Sequence, residues 1–255
     1  IDFFIDRKVP QVKLVDRTFN CHPKRAKAII EHIIRREGNT NFHFEIAAHI
    51  MDRDMLELLR KAPPGLFQLE IGVQSTNEHT LDSIQRKTDI GKIYQVVEKL
   101  HTPRNIHIHL DLIAGLPYED YDSFADSFDD VYSMQPDNLQ LGFLKLLKGS
   151  SIRQEASEHG YRYTTYAPYE VLGNKYIGYD QIMNLKAIEE LVGKYYNSHR
   201  FEYTLKFLIP YFDDSPFIFF EEFMEYWIDR GLFKVSHSLT RLYEIIYDFV
   251  SEMDR

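Results

Sequence analysis

Between Asn105 and Asp120 the sequence reads NIHIHLDLIAGLPYED. In an extended strand successive side chains point to opposite faces. His107, His109 and Asp111 therefore share one face, and Ile106, Ile108, Leu110 and Leu112 the other. Two imidazoles and a carboxylate in a row can ligate a metal, move a proton or hydrogen-bond a polar ligand. The same split recurs. In Leu66–Ser75, Gln68, Glu70, Gly72 and Gln74 oppose Phe67, Leu69, Ile71 and Val73. His43 and Glu45 oppose Phe42, Phe44 and Ile46, and Asn138, Gln140 and Gly142 oppose Leu139, Leu141 and Phe143. Burying unpaired charge is costly, so polar strand faces repeated four times predict a wet, ligand-bearing interior.

The elements that must position these groups alternate in type. Strand-like stretches at Val12–Asp16, Phe42–Ala47, Leu66–Ser75, Ile106–Gly115 and Leu139–Leu147 are each followed by a helical pattern. Strands alternating with helices imply parallel βαβ units. A doubly wound sheet buries both faces and reads as continuous apolar runs; these strands do not. The fold predicted is α/β: a partial (β/α) barrel of about five parallel strands over 1–160, then a mainly helical region over 161–255 whose aromatics form a packed core. Five strands are too few to close an eight-stranded barrel, which leaves an open half-barrel or a barrel with strands missing upstream. Asp16, Glu45, Gln74–Ser75, Asp111 and the Ala114–Pro117 turn all fall at carboxyl ends of strands, where such barrels handle ligands. The segment YTTYAPYEVLGNK (Tyr163 onward) reads as irregular, YDQIMNLKAIEELVGKYYNS as one long helix ending near Tyr195–Ser198, and GLPYEDYDSF as a helix start after Pro117.

Composition narrows the classes. The 255 residues carry a net charge of −9 and 44% apolar residues. The acids and bases are interspersed, which argues against a broad nucleic-acid-binding face. Cys21 is the single cysteine, so neither a disulfide framework nor a cysteine metal cluster can be built within the chain. Apolar runs fall short of a membrane span and the start does not resemble a signal peptide; a cytoplasmic protein is expected. The first residue is Ile1, inside a helix-like IDFFIDRK, and the expectation is a piece excised from a longer protein.

LEIGVQSTNEHTLDSIQRKTD and IHLDLIAGLPYED together resemble the radical S-adenosylmethionine superfamily, in its oxygen-independent coproporphyrinogen oxidase-like branch. VKLVDRTFN, FHFEIAAHI, LQLGFLKLLKGS and YEVLGNKYIGYDQIMNLK resemble a cobalamin-binding-domain-containing subgroup. The resemblance implies S-adenosylmethionine and a 4Fe–4S cluster as cofactors, with cobalamin as a further one through an upstream domain. It also implies reductive cleavage of S-adenosylmethionine, hydrogen abstraction from a small-molecule or unknown substrate, and an electron donor such as a flavodoxin or ferredoxin. Residue by residue, it implies that Asp16, Arg17 and Thr18 meet the methionine amino group and that Glu45 lies near the methionine or ribose. Gln74, with Ser75, faces the ribose hydroxyls; Arg86, beside Lys87, pairs with the methionine carboxylate; Asp111 binds the ribose. Ala114 and Gly115 form a small-residue turn against the adenosine, with the backbone near Leu144 a further contact. The family's CxxxCxxC cluster motif is absent from these residues, so the chain by itself should not perform radical chemistry. His107 and His109 would hydrogen-bond interior partners or line a substrate cavity. Two other readings stay open: a metal-dependent (β/α)-barrel hydrolase using the HxH pair, and a non-catalytic binding module.

Overall fold

The computed structural model describes residues 1–36, 38–102 and 104–253. They form two compact units, Ile1–Gly178 and Tyr179–Arg255.

The first unit is organised on one parallel sheet of five strands in sequential order: β1 (Gln11–Lys13), β2 (Asn41–Ile46), β3 (Phe67–Gln74), β4 (Ile106–Ala114) and β5 (Asn138–Phe143). Every neighbouring pair is parallel, so each strand returns through a helical crossover, and the result is a half-barrel. The helices are α1 (Asp2–Asp6), α2 (Pro23–Arg35), α3 (Arg53–Arg60), α4 (Glu78–Ser83), α5 (Ile90–His101), α6 (Tyr121–Ser133) and α7 (Ser151–Gln154). Carboxylate and amide side chains mark several starts. Asp52 accepts from Met55 N (2.8 Å), Asp89 from Lys92 N (2.8 Å) and Asp120 from Ser123 N (2.9 Å), each satisfying one of the donors a helix end leaves open.

The period-two pattern sorts as the sequence predicts. Along β3 and β4 every odd-numbered apolar position of one and even-numbered position of the other is buried, and the alternate positions are partly open. The greasy face meets Ala26, Ile30 and Ile33 of α2, Met55 and Leu59 of α3, Val96, Val97 and Leu100 of α5, and Phe124, Phe128 and Val131 of α6, all buried. Each such side chain contributes roughly 1.5–3 kcal/mol by leaving water, so this face holds the helices on and leaves the other free for chemistry. Register aligns Glu45 with Glu70, Glu70 with His109 and Gly72 with Asp111.

Two expectations shift. The first strand stops at Lys13 rather than Asp16: after Leu14 N donates to His43 O (3.0 Å) the chain leaves the sheet, Val15 is 95% exposed, and Arg17–Thr18 form a turn. The segment from Tyr163 is not irregular. β6 (Arg162–Tyr163) and β7 (Val171–Gly173) pair antiparallel, over a small core of Leu146, Tyr161 and Val171; paired runs of two and three residues are too short to show a period. The helix expected after Pro117 begins at Tyr121, capped by Asp120.

The second unit comprises α8 (Tyr179–Leu191), α9 (Glu202–Leu208), α10 (Pro216–Asp229) and α11 (Leu239–Glu252). A π-helical turn over Val192–Tyr196 follows α8. Its centre is aromatic: Tyr195, Phe219, Phe220, Phe223 and Trp227 are buried, with Phe223 and Phe249 ring centroids 4.8 Å apart. Tyr195 keeps its hydroxyl satisfied by donating to Leu242 O (3.1 Å).

Candidate functional site

The polar face of the half-barrel carries a ladder of charges. Lys13 Nζ donates to Glu70 Oε2 at 2.9 Å and lies 3.4 Å from Glu45 Oε1. His43 Nε2 lies 2.8 Å from the same Glu70 oxygen, yet outside hydrogen-bonding geometry. Burial alone would raise Glu70, but the Lys13 hydrogen bond and the charges of Lys13 and His43 outweigh it and hold the carboxyl below its usual range. One strand over, the Gln68 amide donates to His109 Nε2 at 2.9 Å, which requires that nitrogen to be unprotonated. Burial, then the neighbouring His107 and His43, depress His109 to about 4, so it is a neutral acceptor at physiological pH. His109 thus finds an interior partner, one of the two roles the sequence left open for it.

Above this ladder, at the carboxyl ends of the strands, lies a cavity of about 480 Å³, within the range of small-molecule sites. Arg17, Thr18, Glu45, Glu70, Gly72, Gln74, Arg86 and Asp111 are among its lining residues, with Ile71 and Ile93 as apolar wall. Asp111 Oδ1 is buried and has no hydrogen-bond partner. Burial, then the charge of Glu70, push Asp111 up to about 8. A protonated, solvent-poor carboxyl with an unsatisfied oxygen is arranged to exchange hydrogen bonds with a ligand rather than to stabilise the fold. Arg86 Nη2 donates to Gly72 O at 2.7 Å. A Cβ on Gly72 would collide with the Gln74 amide and come within 3.0 Å of Arg86 Nη2, so the absence of a side chain there seats both groups. Gln74 itself has φ +76°, a conformation that strains a non-glycine residue by about 1–3 kcal/mol, and lies at a register shift between β3 and β4. A second trough of about 560 Å³ between α2 and α3 is lined by Lys24, Lys27, Glu31, Asp54, Glu57 and Lys61; its lysines and acids offset each other on an open surface, and among the described residues no buried unpartnered side chain lines it.

Of the residues singled out from the sequence, Arg17, Thr18, Glu45, Gln74, Arg86 and Asp111 converge on the cavity. The other four lie outside its wall. Asp16 faces Arg25 (3.5 Å). Ser75 is buried against Glu119 (2.5 Å). Ala114 is buried, and the Gly115 carbonyl accepts from Tyr161 Oη (2.9 Å) and Asn174 Nδ2 (3.0 Å). Lys13 and Glu119 were not singled out, and Glu70 was placed on the polar face by alternation without being given a role.

The chain matches the family model described as "Radical SAM superfamily" over residues 1–131. It belongs to the radical SAM superfamily. Residues 157–255 match a second family, "Protein of unknown function (DUF4080)". The oxygen-independent coproporphyrinogen III oxidase of Pseudomonas aeruginosa is 32% identical over 105 residues, 41% of this chain and 22% of that protein. The enzyme of the same name from Salmonella typhimurium is 29% identical over 109 residues, 40% and 23% respectively. The match thus spans less than a quarter of the length of these curated relatives. Among solved structures, the radical S-adenosylmethionine methyltransferase TsrM from Kitasatospora setae, with cobalamin and a 4Fe–4S cluster bound, superposes with TM-score 0.54 at 14% identity. That alignment covers 66% of this chain and 36% of TsrM and shows a shared fold.

Two consequences follow for bound groups. The cavity fits the polar parts of S-adenosylmethionine: an acid with an orphaned oxygen, a guanidinium, a second carboxylate and an amide at one wall. These residues do not fit a 4Fe–4S cluster, since Cys21 is the single cysteine and is exposed. The hydrolase alternative is not favoured: among the described residues no three of His, Cys, Asp and Glu group as a metal site, because His109 is turned to Gln68 and His43 to Glu70. No described helix is long and apolar enough to cross a membrane.

Proposed function

We propose that this chain is the S-adenosylmethionine-binding core of a radical enzyme, catalytically silent until joined by the cluster-binding cysteines its 255 residues lack. The observation that carries the reading is the buried, unpartnered Asp111 Oδ1 at the wall of a cavity shared with Arg86, Glu45 and Gln74. Asp111 and Gln74 hydrogen-bond the ribose hydroxyls. Arg86 exchanges its Gly72 carbonyl for the methionine carboxylate, a charge-assisted and stronger bond. Glu45, with Arg17 and Thr18 across the cavity, orients the methionine moiety; Asp16 supports that turn through Arg25. Ser75, Ala114 and Gly115 shape the wall from behind. The cluster and S-adenosylmethionine supply the one-electron chemistry when bound; these residues supply orientation and exclusion of water. Cobalamin in the fold-sharing TsrM supports a cobalamin-dependent reaction through a further domain, and a flavodoxin or ferredoxin is the proposed electron donor.

The test is anaerobic reconstitution of the full-length protein with iron and sulfide. Formation of 5′-deoxyadenosine from S-adenosylmethionine is expected, with loss of tenfold or more on Asp111→Asn. A fully assembled cluster that yields no 5′-deoxyadenosine overturns the assignment.

A further inference from the structure

Glu119 is 1% exposed and takes no part in lining the cavity. Its Oε1 accepts from Ser75 Oγ at 2.5 Å and from Ser127 Oγ at 3.3 Å, while Oε2 is buried with no partner. Ser75 Oγ in turn accepts from Asn77 N (3.0 Å), and Ser127 Oγ accepts from Thr76 N (3.0 Å). All three residues after Gln74 are thus tied, directly or through one hydroxyl, to a single carboxyl oxygen. Gln74 is the left-handed residue at the cavity wall, and such a conformation persists only where its surroundings over-determine it.

We propose that Glu119 is a positioning residue: through Ser75 and Ser127 it clamps the loop after β3 and so holds Gln74 in the strained conformation that presents it to the ligand. This rests on the S-adenosylmethionine reading of the cavity and adds a residue to it. The groups around the carboxyl are Ser75, Thr76 and Asn77 from the loop after β3, Ser127 of α6, and the flanking Tyr118 and Asp120. Asp130 of α6 holds Thr76 Oγ1 at 2.6 Å. Burial, with the charge of Asp120 adding to it, pushes Glu119 up to about 7. The ionised carboxylate accepts stronger hydrogen bonds than the acid, so the clamp tightens as pH rises through neutrality.

Two measurements on wild type, Glu119→Gln and Glu119→Ala test this. S-adenosylmethionine affinity, measured by calorimetry from pH 6 to 8.5, is expected to rise several-fold more in wild type than in Glu119→Gln. Asp111 titrates in both proteins, so the difference profile isolates Glu119. Amide hydrogen exchange of residues 75–77, read without ligand, is expected to quicken at least tenfold in Glu119→Ala, and less in Glu119→Gln, which keeps an acceptor oxygen. Superimposable pH profiles in wild type and Glu119→Gln, or unchanged exchange at residues 75–77 in a folded variant, overturn the proposal. Wild type that fails to bind S-adenosylmethionine while the exchange effect is present overturns the ligand assignment and leaves the clamp standing.

Discussion

The concave face of the half-barrel and the aromatic centre of the second unit are built by opposite rules. Around Phe223, side chains meet ring against ring: Tyr195, Phe219, Trp227 and Phe249 lie 4.8–6.0 Å away, centroid to centroid. Each contact adds to apolar burial and the rings carry no charge, although Trp227 Nε1 is buried there without a partner. On the concave face, Asp111 Oδ1 and His43 Nε2 are buried without a hydrogen bond, Gln74 is strained, and three carboxyls, Glu45, Glu70 and Asp111, share one lysine. Unsatisfied buried polar atoms destabilise by about 1–3 kcal/mol each; in the aromatic centre the one such atom is the neutral Trp227 Nε1, whereas on the concave face they belong to ionisable side chains. The difference teaches where stability resides and where binding resides.

Substitutions can break that comparison. Phe223→Ala should lose about 3–5 kcal/mol of stability in a chemical denaturation series, since a large buried ring leaves a cavity; a loss below about 1 kcal/mol would mean the aromatic centre is not what holds the second unit. Asp111→Asn should do the reverse. The folded-state value near 8 lies above the ordinary carboxyl value of 3.8. The folded protein therefore holds the extra proton between those limits, and stability falls as pH rises through that window. The amide removes this dependence, so the variant should exceed wild type at pH 9 by several kcal/mol, on the order of 5, with the gap closing toward pH 4. It should bind S-adenosylmethionine at least tenfold more weakly. A variant both less stable at pH 9 and unchanged in binding would place Asp111 with the structural residues. Gly72→Ala sharpens the same point at smaller scale: displacing the Gln74 amide and Arg86 should weaken binding and reduce the melting stability by about 1–2 kcal/mol. Smallest of all is Arg60→Ala. Its exposed pair with Glu57 at 3.4 Å should change stability by less than about 0.5 kcal/mol and leave binding untouched.

Much of this was readable before any coordinates. Alternation within β2–β5 assigns His43, Glu45, Gln68, Glu70, His109 and Asp111 to one face, because a strand's period is two whatever surrounds it. The repeated strand–helix order implies parallel crossovers, and the sheet order β1-β2-β3-β4-β5 agrees. The hairpin of β6 and β7 was hidden by its brevity. Glu119 was hidden for another reason: its partner Ser75 lies 44 residues earlier, and no local pattern marks a pair at that separation.

What the amino-acid order alone determined, then, is the two-faced character of each strand, the half-barrel that follows from it, and the family motifs at the strand ends. Only the tertiary structure decided which strand-end residues meet. It turned Arg17, Thr18, Glu45, Gln74, Arg86 and Asp111 inward onto one cavity and sent Ser75 outward to Glu119. Gln74 and Ser75 are sequence neighbours, yet the strand ends at the left-handed Gln74, and what each one reaches depends on how the strands curve and what packs behind them.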